Sequence, residues 1–322
     1  MSVKQLFAPI AADMQAVDAV IRNRLHSDVV LIRQVAEYII HSGGKRLRPA
    51  LVLFAAGATG YQGTQHHELA AVVEFIHTAT LLHDDVVDES ELRRGRETAN
   101  ALFGNAASVL VGDFLYSRTF QMMVETGNMR VMEVLSEATN VIAEGEVLQL
   151  LNCHDADVDV EDYLRVIRYK TAKLFEAAAR VGGIVAGVDR DLEDRLGAFG
   201  THLGTAFQLV DDVLDYSADE AQTGKHLGDD LAEGKPTLPL IHVMKHGTPA
   251  QAALVRRAIE EGGRDDFAAV LEAIHASGAL EVTRAHARAE AKKAIEAISS
   301  LPPSIFRNSL LELSDFAVER NH

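Results

Sequence analysis

Two aspartate-rich segments carry the side chains of this sequence that are best suited to chemistry. The first segment, TATLLHDDVVD, contains Asp84, Asp85 and Asp88, and the second, QLVDDVLD, contains Asp211, Asp212 and Asp215. In a helix, positions i and i+4 share a face and position i+1 lies about 100° around it. Each segment is therefore expected to project three carboxylates on one side of a helix.

A cation is needed where three carboxylates lie beside an apolar core, because clustered negative charges repel one another and resist desolvation. Both segments follow long apolar stretches that predict buried helices. Oxygen donors alone suit a hard ion, with Mg²⁺ the first expectation and phosphate its usual companion. One Asp-Asp pair on a helix also fits a solvated face or a helix cap. The repeated spacing favours two Mg²⁺ clusters that face one cavity.

Length and composition predict a large all-α protein. The chain has 322 residues, of which 48% are hydrophobic and 6% aromatic, with no Trp and 7 Pro. Such a composition favours helices over sheets, and the length suffices for one large domain or two closely packed ones. Because no Gly/Ser-rich or Pro-rich linker divides the chain, a single domain over residues 1–322 is expected.

Apolar residues at helical spacing place the helices in more detail. They predict helices over 5–26, from Ser27 or Asp28 to Ile40, and over 50–58, 106–125, 130–151 and 167–186, with further helices to Val318. Pro49 suits the first turn of its helix. The helix that carries the first aspartate segment is expected to begin at His66 or His67, and residues 217–235 are expected to form a polar loop.

Charge and cysteine content exclude several classes of function. The net charge of −16 argues against a nucleic-acid partner and against electrostatic attachment to anionic lipid. One cysteine, Cys153, rules out an intramolecular disulfide and fits a reducing compartment. The N-terminal residues resemble neither a signal peptide nor a spanning stretch. A cytoplasmic protein without a transmembrane segment is expected.

Short basic clusters near the two aspartate segments could hold phosphate groups. The cationic residues concerned are Lys45, Arg48, Arg93, Arg94, Lys225 and Lys235. Each cluster alone is typical of a solvated face, but Arg forks and Lys point charges beside carboxylate clusters suit a diphosphate. His77 lies two turns before Asp84 on nearly the same face, and could either face this cavity or be a core histidine. His66, His67, His242 and His246 are expected at the surface.

No motif for a protein nucleophile or a dinucleotide is present. The sequence lacks a GxSxG elbow, a Cys/His pair and a GxGxxG fingerprint. Chemistry without a nucleophilic side chain fits best. If Mg²⁺ draws charge from a diphosphate, the diphosphate leaves and a carbocation forms in a cavity screened from water.

Several segments resemble the trans-isoprenyl diphosphate synthase family. LLHDDVVDESELRRG is similar to its first aspartate-rich motif, FQLVDDVLDY with TGKHLGDDLAEGKPTLP to its second, and GGKRLRP to its isopentenyl-diphosphate motif. The likeness covers roughly residues 43–239. Stretches such as EFIHTATLLHDDVVDES and FGNAASVLVGDFLY most resemble the bacterial octaprenyl diphosphate synthases of quinone side-chain synthesis. The resemblance implies an all-α helical bundle around a central cavity, usually a homodimer.

The resemblance also implies a reaction and residue roles. Isopentenyl diphosphate would be condensed repeatedly onto an allylic diphosphate, with farnesyl diphosphate as the expected starter. Two to three Mg²⁺ ions, replaceable by Mn²⁺, would be bound by Asp84, Asp85, Asp88, Asp211, Asp212 and Asp215. The allylic diphosphate would be bound by Arg93, Lys170, Lys225 and Lys235. Isopentenyl diphosphate would be bound by Lys45, Arg48, His77 and Arg94. Thr171 and Gln208 would stabilise the allylic cation.

Product length should depend on small residues before the first aspartate segment. Ala79 and Thr80 lie one turn before Asp84 on the same face. Both are small, so a tail that runs along this helix would not be stopped there. Met123 could close the cavity deeper, with Met122 and Phe120 as further candidates, although core packing explains a Met or Phe on a helix equally well. A long chain, octaprenyl diphosphate, is expected.

Three alternatives remain open from the sequence. A synthase of the same family could make another length, from geranylgeranyl to decaprenyl. His83-Asp84 is an HD dipeptide with His41 and His77 upstream, which is typical of a metal-dependent phosphohydrolase. That interpretation leaves the second aspartate segment unexplained. A non-enzymatic helical scaffold or lipid carrier needs no clustered carboxylates.

Overall fold

The computed structural model describes residues 3–41, 43–93, 95–217 and 227–320, and its secondary structure is almost wholly helical. The helices are α1 (Val3–Leu6), α2 (Ala11–Arg24), α3 (Val30–His41), α4 (Leu47–Ala58), α5 (Gln65–Val87), α6 (Ala99–Phe103), α7 (Asn105–Glu125), α8 (Met129–Asn152), α9 (Val160–Ile167), α10 (Lys173–Val185), α11 (Arg190–Leu214), α12 (Asp229–Ala232), α13 (Leu238–His246), α14 (Pro249–Glu261), α15 (Phe267–Ser277), α16 (Ala279–Ala297) and α17 (Ile305–Glu319). The all-α prediction is confirmed.

Three predicted elements differ from the structure. The single helix over 5–26 is wrong: α1 is followed by a 3₁₀ turn, Ala8–Ile10, before α2 begins. Pro9 explains the break, because its ring and its missing N–H interrupt an α-helix. The helix over 167–186 is interrupted by a π-helical turn, Arg168–Ala172. Within 217–235, where a polar loop was expected, Asp229–Ala232 is helical. The strands β1 (Leu92–Arg93) and β2 (Arg96–Glu97) form a short antiparallel hairpin.

The chain divides into two compact units. The first consists of Met1–Thr139, Leu174–Gly200 and Ala297–Leu313. Its centre is α4, whose side chains are nearly all buried, and α5 packs against both α4 and α7. Gly182 of α10 lies so close to α4 that an added Cβ would be 2.6 Å from the Val52 carbonyl oxygen. The first aspartate segment belongs to this unit.

The second unit consists of Asn140–Lys173, Thr201–Glu296 and Ser314–His322. Helices α13, α14 and α15 pack on one another around a cluster that includes Leu240, Val255 and Ile274. A neighbouring cluster joins Tyr163 and Ile167 to Leu209 and Val210 of α11. The second aspartate segment, at the end of α11, lies in this unit. A single domain over the whole chain stays a prediction.

Within the described ranges, no helix is both long enough and apolar enough to cross a membrane.

Candidate active site

The second aspartate segment surrounds a buried carboxyl group. Asp212 is only 2% exposed. Gln208 Nε2 donates a 2.9 Å hydrogen bond to Asp212 Oδ1, and the Tyr163 hydroxyl donates to Asp212 Oδ2. Asp215 lies just beyond the end of α11, where its Oδ2 accepts a 3.3 Å hydrogen bond from the backbone N–H of Asp230. Neighbouring helices therefore fix the orientations of these acids.

Burial and the neighbouring carboxylates disfavour ionisation at Asp212. Burial, and then the neighbouring charge of Asp230, raise the pKa of Asp212 to about 7, while the hydrogen bonds from Tyr163 and Gln208 oppose the shift. Burial also raises the pKa of Tyr163, so its hydroxyl keeps the proton that it donates to Asp212. A cation beside Asp212 would favour the ionised carboxylate.

The π-helical turn between α9 and α10 presents two of the predicted residues. Lys170 and Thr171 both lie in this turn. Such turns inside helices are frequent at functional sites because they widen the backbone locally. Thr171 Oγ1 donates a 3.0 Å hydrogen bond to Gln208 Oε1, and Lys170 Nζ lies 2.5 Å from Glu146 Oε2. Thr171, Gln208 and Asp212 thus form one hydrogen-bonded chain.

Two further cations contact the second segment or its neighbours. Arg320 is buried, and its Nη1 lies 2.6 Å from Asp211 Oδ1. Its guanidinium also lies over the Phe207 ring, 3.6 Å from the centroid. Lys235 forms an ion pair with Glu233, and its backbone N–H donates a 2.8 Å hydrogen bond to the Asp230 carbonyl.

The first aspartate segment ends α5 in the first unit. Asp84 and Asp88 are half-buried on one face, whereas Asp85 is fully buried. Arg93 reaches back from β1, and its Nε lies 2.8 Å from Asp85 Oδ1. The structure thus places Arg93 on a carboxylate of the segment.

A hard divalent cation fits the donors of both segments. Asp85 Oδ2 is buried and has no hydrogen-bond partner within the described ranges, which is costly for a carboxylate oxygen. Burial and the charge of Asp230 raise the pKa of Asp212 in the second unit, and a cation beside it would oppose both effects. All the side-chain donors concerned are carboxylate oxygens, the ligands that Mg²⁺ prefers.

The predicted anion-binding residues Arg48 and His77 lie together in the first unit. Arg48 Nη1 is 3.1 Å from His77 Nε2, and the Arg48 guanidinium lies 4.6 Å from the centroid of the Phe175 ring. The segment before α4 has an unusual backbone, because Gly43, Gly44 and Arg46 have φ angles of 82°, 141° and 51°. Arg46 tolerates this left-handed conformation while it forms a 2.9 Å ion pair with Glu74.

The three residues predicted to set product length lie on α5 and α7, which pack together. Ala79 is 1% exposed and Met123 is fully buried. Thr80 is half-buried, and its Oγ1 donates a 2.8 Å hydrogen bond to the His77 carbonyl. The small volumes at Ala79 and Thr80 and the buried thioether of Met123 remain the features relevant to a tail-binding cavity.

Some predicted residues lie elsewhere or outside the described ranges. Arg94 and Lys225 are outside them, so their positions stay predictions, and the side chain of His41 is not described. His83 Nε2 lies 3.1 Å from the Val109 carbonyl oxygen and 3.3 Å from Asp113 Oδ1 on α7. The HD dipeptide is therefore engaged in helix packing.

Four histidines were expected at the surface. This prediction is wrong for His66, which is buried, and confirmed for His246, which is exposed. His67 and His242 are half-buried. His66 and His67 sit where the start of α5 packs on α2, a tertiary contact that the local sequence does not signal.

Sequence reasoning missed three residues that contact the predicted ones. Tyr163, Glu146 and Arg320 are bonded to Asp212, Lys170 and Asp211, respectively. Each is distant in sequence from its partner, and no local spacing links them.

Comparisons with known proteins agree with one another. A family model described as Polyprenyl synthetase matches residues 29–276. The octaprenyl diphosphate synthase of Escherichia coli (strain K12) is 57% identical over 322 residues, which cover 100% of both chains. The crystal structure of a polyprenyl synthase from Caulobacter crescentus CB15, complexed with calcium and isoprenyl diphosphate, matches with a TM-score of 0.96 at 47% identity, covering 100% of this chain and 98% of that one.

A decaprenyl diphosphate synthase from Rhodobacter capsulatus has a crystal structure that matches with a TM-score of 0.94 at 48% identity, covering 100% of both chains. The phosphohydrolase interpretation is not favoured by any of these similarities. The resemblance read from the aspartate-rich segments is confirmed: the chain belongs to the polyprenyl synthetase family.

Proposed function

We propose that this protein is a Mg²⁺-dependent trans-prenyltransferase that extends an allylic diphosphate, with farnesyl diphosphate as the starter, to octaprenyl diphosphate for a quinone side chain. The observation that carries the proposal is the hydrogen-bonded chain from Thr171 through Gln208 to Asp212. It sets neutral side-chain oxygens directly beside a carboxylate cluster that needs a cation. A cation-forming reaction at a metal-bound diphosphate requires both kinds of group together.

The aspartates would hold two to three Mg²⁺ ions, with Mn²⁺ as a substitute. The ligands would be Asp84, Asp85, Asp88, Asp211, Asp212 and Asp215, and Arg93 also holds Asp85 through its bond to Oδ1. When bound, Mg²⁺ neutralises the diphosphate charge and so makes it a better leaving group. Tyr163 and Gln208 orient the Asp212 carboxylate, and Arg320 does the same for Asp211.

Cationic side chains would bind the two diphosphates. Lys170 and Lys235 form ion pairs with Glu146 and Glu233, respectively. Each lysine would turn its ammonium group away from that glutamate and toward the allylic diphosphate. Arg93 and Lys225 would bind the same diphosphate, whereas Arg94 would bind isopentenyl diphosphate. Isopentenyl diphosphate would be bound by Lys45, Arg48 and His77, of which Arg48 and His77 already lie 3.1 Å apart. A bidentate guanidinium fork matches a diphosphate well.

Thr171 and Gln208 would stabilise the developing allylic cation. The Thr171 hydroxyl donates its proton to Gln208 Oε1, so its own oxygen lone pairs are oriented rather than mobile. Fixed dipoles aimed at developing charge cost no reorganisation during the reaction. The isopentenyl double bond then attacks the cation, and the released diphosphate takes the proton that is lost.

The length of the product would be set on α5 and α7. A tail that runs from the aspartates toward the start of α5 passes Ala79 and Thr80, and Met123 would form the floor. These packed small side chains support a long product, for which octaprenyl diphosphate is our choice because of the name of the 57% identical relative. A homodimer is proposed as the working assembly.

The proposal is tested by incubating the protein with radiolabelled isopentenyl diphosphate, farnesyl diphosphate and Mg²⁺. Dephosphorylated products are then separated by chain length, and a ladder that ends at octaprenol is expected. Asp212→Asn should abolish extension, whereas Asp157→Asn, at an exposed carboxylate of the same unit, should not. A ladder that ends at another chain length would revise the proposed product length and leave the proposed reaction unchanged. Phosphate release without extension would overturn the prenyltransferase proposal.

A further inference from the structure

A second group of metal-ligand side chains lies where α2 and α5 begin. Asp13 is in the first turn of α2, and His66 and His67 are in the first turn of α5. Asp13 Oδ1 lies 2.8 Å from His67 Nε2 and 3.6 Å from His66 Nε2. The three donor atoms all lie within 4.8 Å of one another. Two imidazoles and a carboxylate are a common zinc-binding set.

The distances between these donors suit a single small ion. Ligand atoms about 2.0–2.1 Å from a tetrahedral ion lie about 3.3 Å from one another. The two distances to Asp13, 2.8 Å and 3.6 Å, lie on either side of that value. The rings of His66 and His67 have centroids 4.1 Å apart and a tilt of 31°, so both present Nε2 to the same carboxylate. The three donor atoms lie within 4.8 Å of one another, and a closer approach of the two rings would complete the site.

The burial of Asp13, His66 and His67 also bears on cation binding. The side chains of His66 and His67 are only 11% and 15% exposed, while Asp13 is 35% exposed and leaves room for a water ligand. Nδ1 of His66 is buried with no hydrogen-bond partner in the part of the chain that the structure describes, and its Nε2 lies beyond hydrogen-bond distance of Asp13. An ion between Nε2 of His66 and Oδ1 of Asp13, which lie 3.6 Å apart, would contact both atoms.

The protonation state of His66 also suits a ligand. Burial lowers the pKa of His66, and the neighbouring His67 lowers it further, while Asp13 opposes the shift. The neutral imidazole is the form that binds metal. His66 therefore needs no proton removed near neutral pH.

We propose that Asp13, His66 and His67 bind one divalent ion of the late first-row transition series, of the Zn²⁺ type. Imidazole donors select such ions over Mg²⁺, so this site would not compete with the aspartate-rich segments. The ion would tie the start of α2 to the start of α5. Its role would be to stabilise this packing, with no part in the prenyl-transfer step.

The test uses untagged, chelator-treated full-length protein titrated with Co²⁺. We expect visible d–d bands of tetrahedral intensity that saturate at one equivalent, disappear when Zn²⁺ is added, and persist in excess Mg²⁺. Zn²⁺ should also raise the melting temperature, and chelator should reverse the rise. No substrate enters the experiment, so its result is independent of the proposed function.

Two variants decide where the ion binds. His67→Gln keeps a side chain that can hydrogen-bond to Asp13 but lacks the imidazole, and it should weaken Co²⁺ binding by at least about 10–100-fold. His246→Ala is the matched control, because His242 and His246 on α13 form a rival pair with ring centroids 4.6 Å apart. Equal binding by wild type and His67→Gln, loss of the bands in His246→Ala, or only weak octahedral bands in wild type would each overturn the proposal.

Discussion

At the scale of single residues, Asp212 has the clearest measurable consequence. Its pKa is raised to about 7 by burial and by Asp230, whereas an aspartate in an unfolded chain titrates near about 3.9. Between these two pH values the folded protein holds a proton that the unfolded chain has released. Stability without metal should therefore fall as pH rises through this window, and the full loss should be present above it.

Asp212→Asn should remove this loss of stability at high pH. At pH 8 and without divalent ions, we expect the variant to be more stable than wild type by about 1–3 kcal/mol, because no charge is buried. Urea unfolding at pH 5 and pH 8 measures the difference. Added Mg²⁺ should stabilise wild type and have little effect on the variant. A wild-type stability that rises between pH 5 and pH 8 while that of the variant stays flat would contradict this account of Asp212.

Arg48 and His77 should act on one substrate only. Arg48→Lys keeps the charge but loses the guanidinium fork and its packing on Phe175. We expect the KM for isopentenyl diphosphate to rise by about 10–100-fold, while the KM for the allylic substrate stays within a factor of two or so.

His77→Ala should have a smaller effect, about threefold to tenfold on the same KM, since it removes a single hydrogen-bonding partner. Because Arg48 and His77 are in contact, the double variant should be less than additive. Steady-state kinetics with each substrate varied in turn measures all three proteins. Equal changes in both KM values would indicate a general structural defect.

At the scale of elements, the π-helical turn that carries Lys170 and Thr171 depends on a glycine of α8. A Cβ added to Gly145 would lie 2.6 Å from the Lys170 backbone nitrogen and 2.9 Å from the Tyr169 carbonyl carbon. Backbone atoms cannot move aside as a flexible side chain can. Gly145 therefore allows the wider turn to pack directly on α8.

Gly145→Ala should displace the turn and its two functional side chains. We expect kcat to fall by about 10–100-fold, since a shift near 1 Å at a positioned group has effects of this size. The loss of stability should be about 1–3 kcal/mol, typical of overpacking. Ala143→Ser, at an exposed position of the same helix, is the control and should change neither. An active Gly145→Ala enzyme with unchanged stability would show that the close approach is unimportant.

Packing between α5 and α7 should control product length. Ala79→Tyr should place a ring in the path of the tail and shorten the product, whereas Met123→Ala should remove the floor and lengthen it. Both effects are read from the dephosphorylated product ladder, with the initial condensation rate expected within about tenfold of wild type. An unchanged ladder from Met123→Ala would exclude Met123 as the floor. An unchanged ladder from Ala79→Tyr would exclude the proposed direction of the tail.

The sequence predicted these elements unevenly, for physical reasons. Apolar periodicity located α4, α5, α7 and α8 within a few residues, because each helix buries a continuous face. It missed the π-helical turn, since one extra residue per turn leaves almost no mark on that periodicity. The apolar pattern continues across Pro9, so periodicity alone predicts one helix there although proline interrupts helices. Tyr163 and Arg320 could not be found, because their partners are brought near only by tertiary packing.

At the scale of the whole molecule, an apolar stripe on α8 bears on assembly. Val147, Leu150 and Leu151 are 57%, 62% and 70% exposed and lie on one helical face. Such a stripe is typical of a surface covered by another chain. We expect Leu150→Glu combined with Leu151→Glu to halve the mass measured by light scattering. Glu144→Gln, on the same helix, should leave that mass unchanged. A full-sized particle from the double variant would place any dimer contact elsewhere.

The location of Ala79 and Met123 in apolar packing has an evolutionary consequence. Exchanges between apolar residues of different volume are tolerated far better than the loss of a buried charged ligand. If Ala79 and Met123 set the product length as proposed, that length can change between lineages through single codons, whereas the reaction itself depends on groups that few substitutions can replace. Relatives named for octaprenyl and for decaprenyl products, at 57% and 48% identity, fit such a history. Differences in the length of quinone side chains would then reflect small changes in side-chain packing between enzymes that catalyse the same reaction.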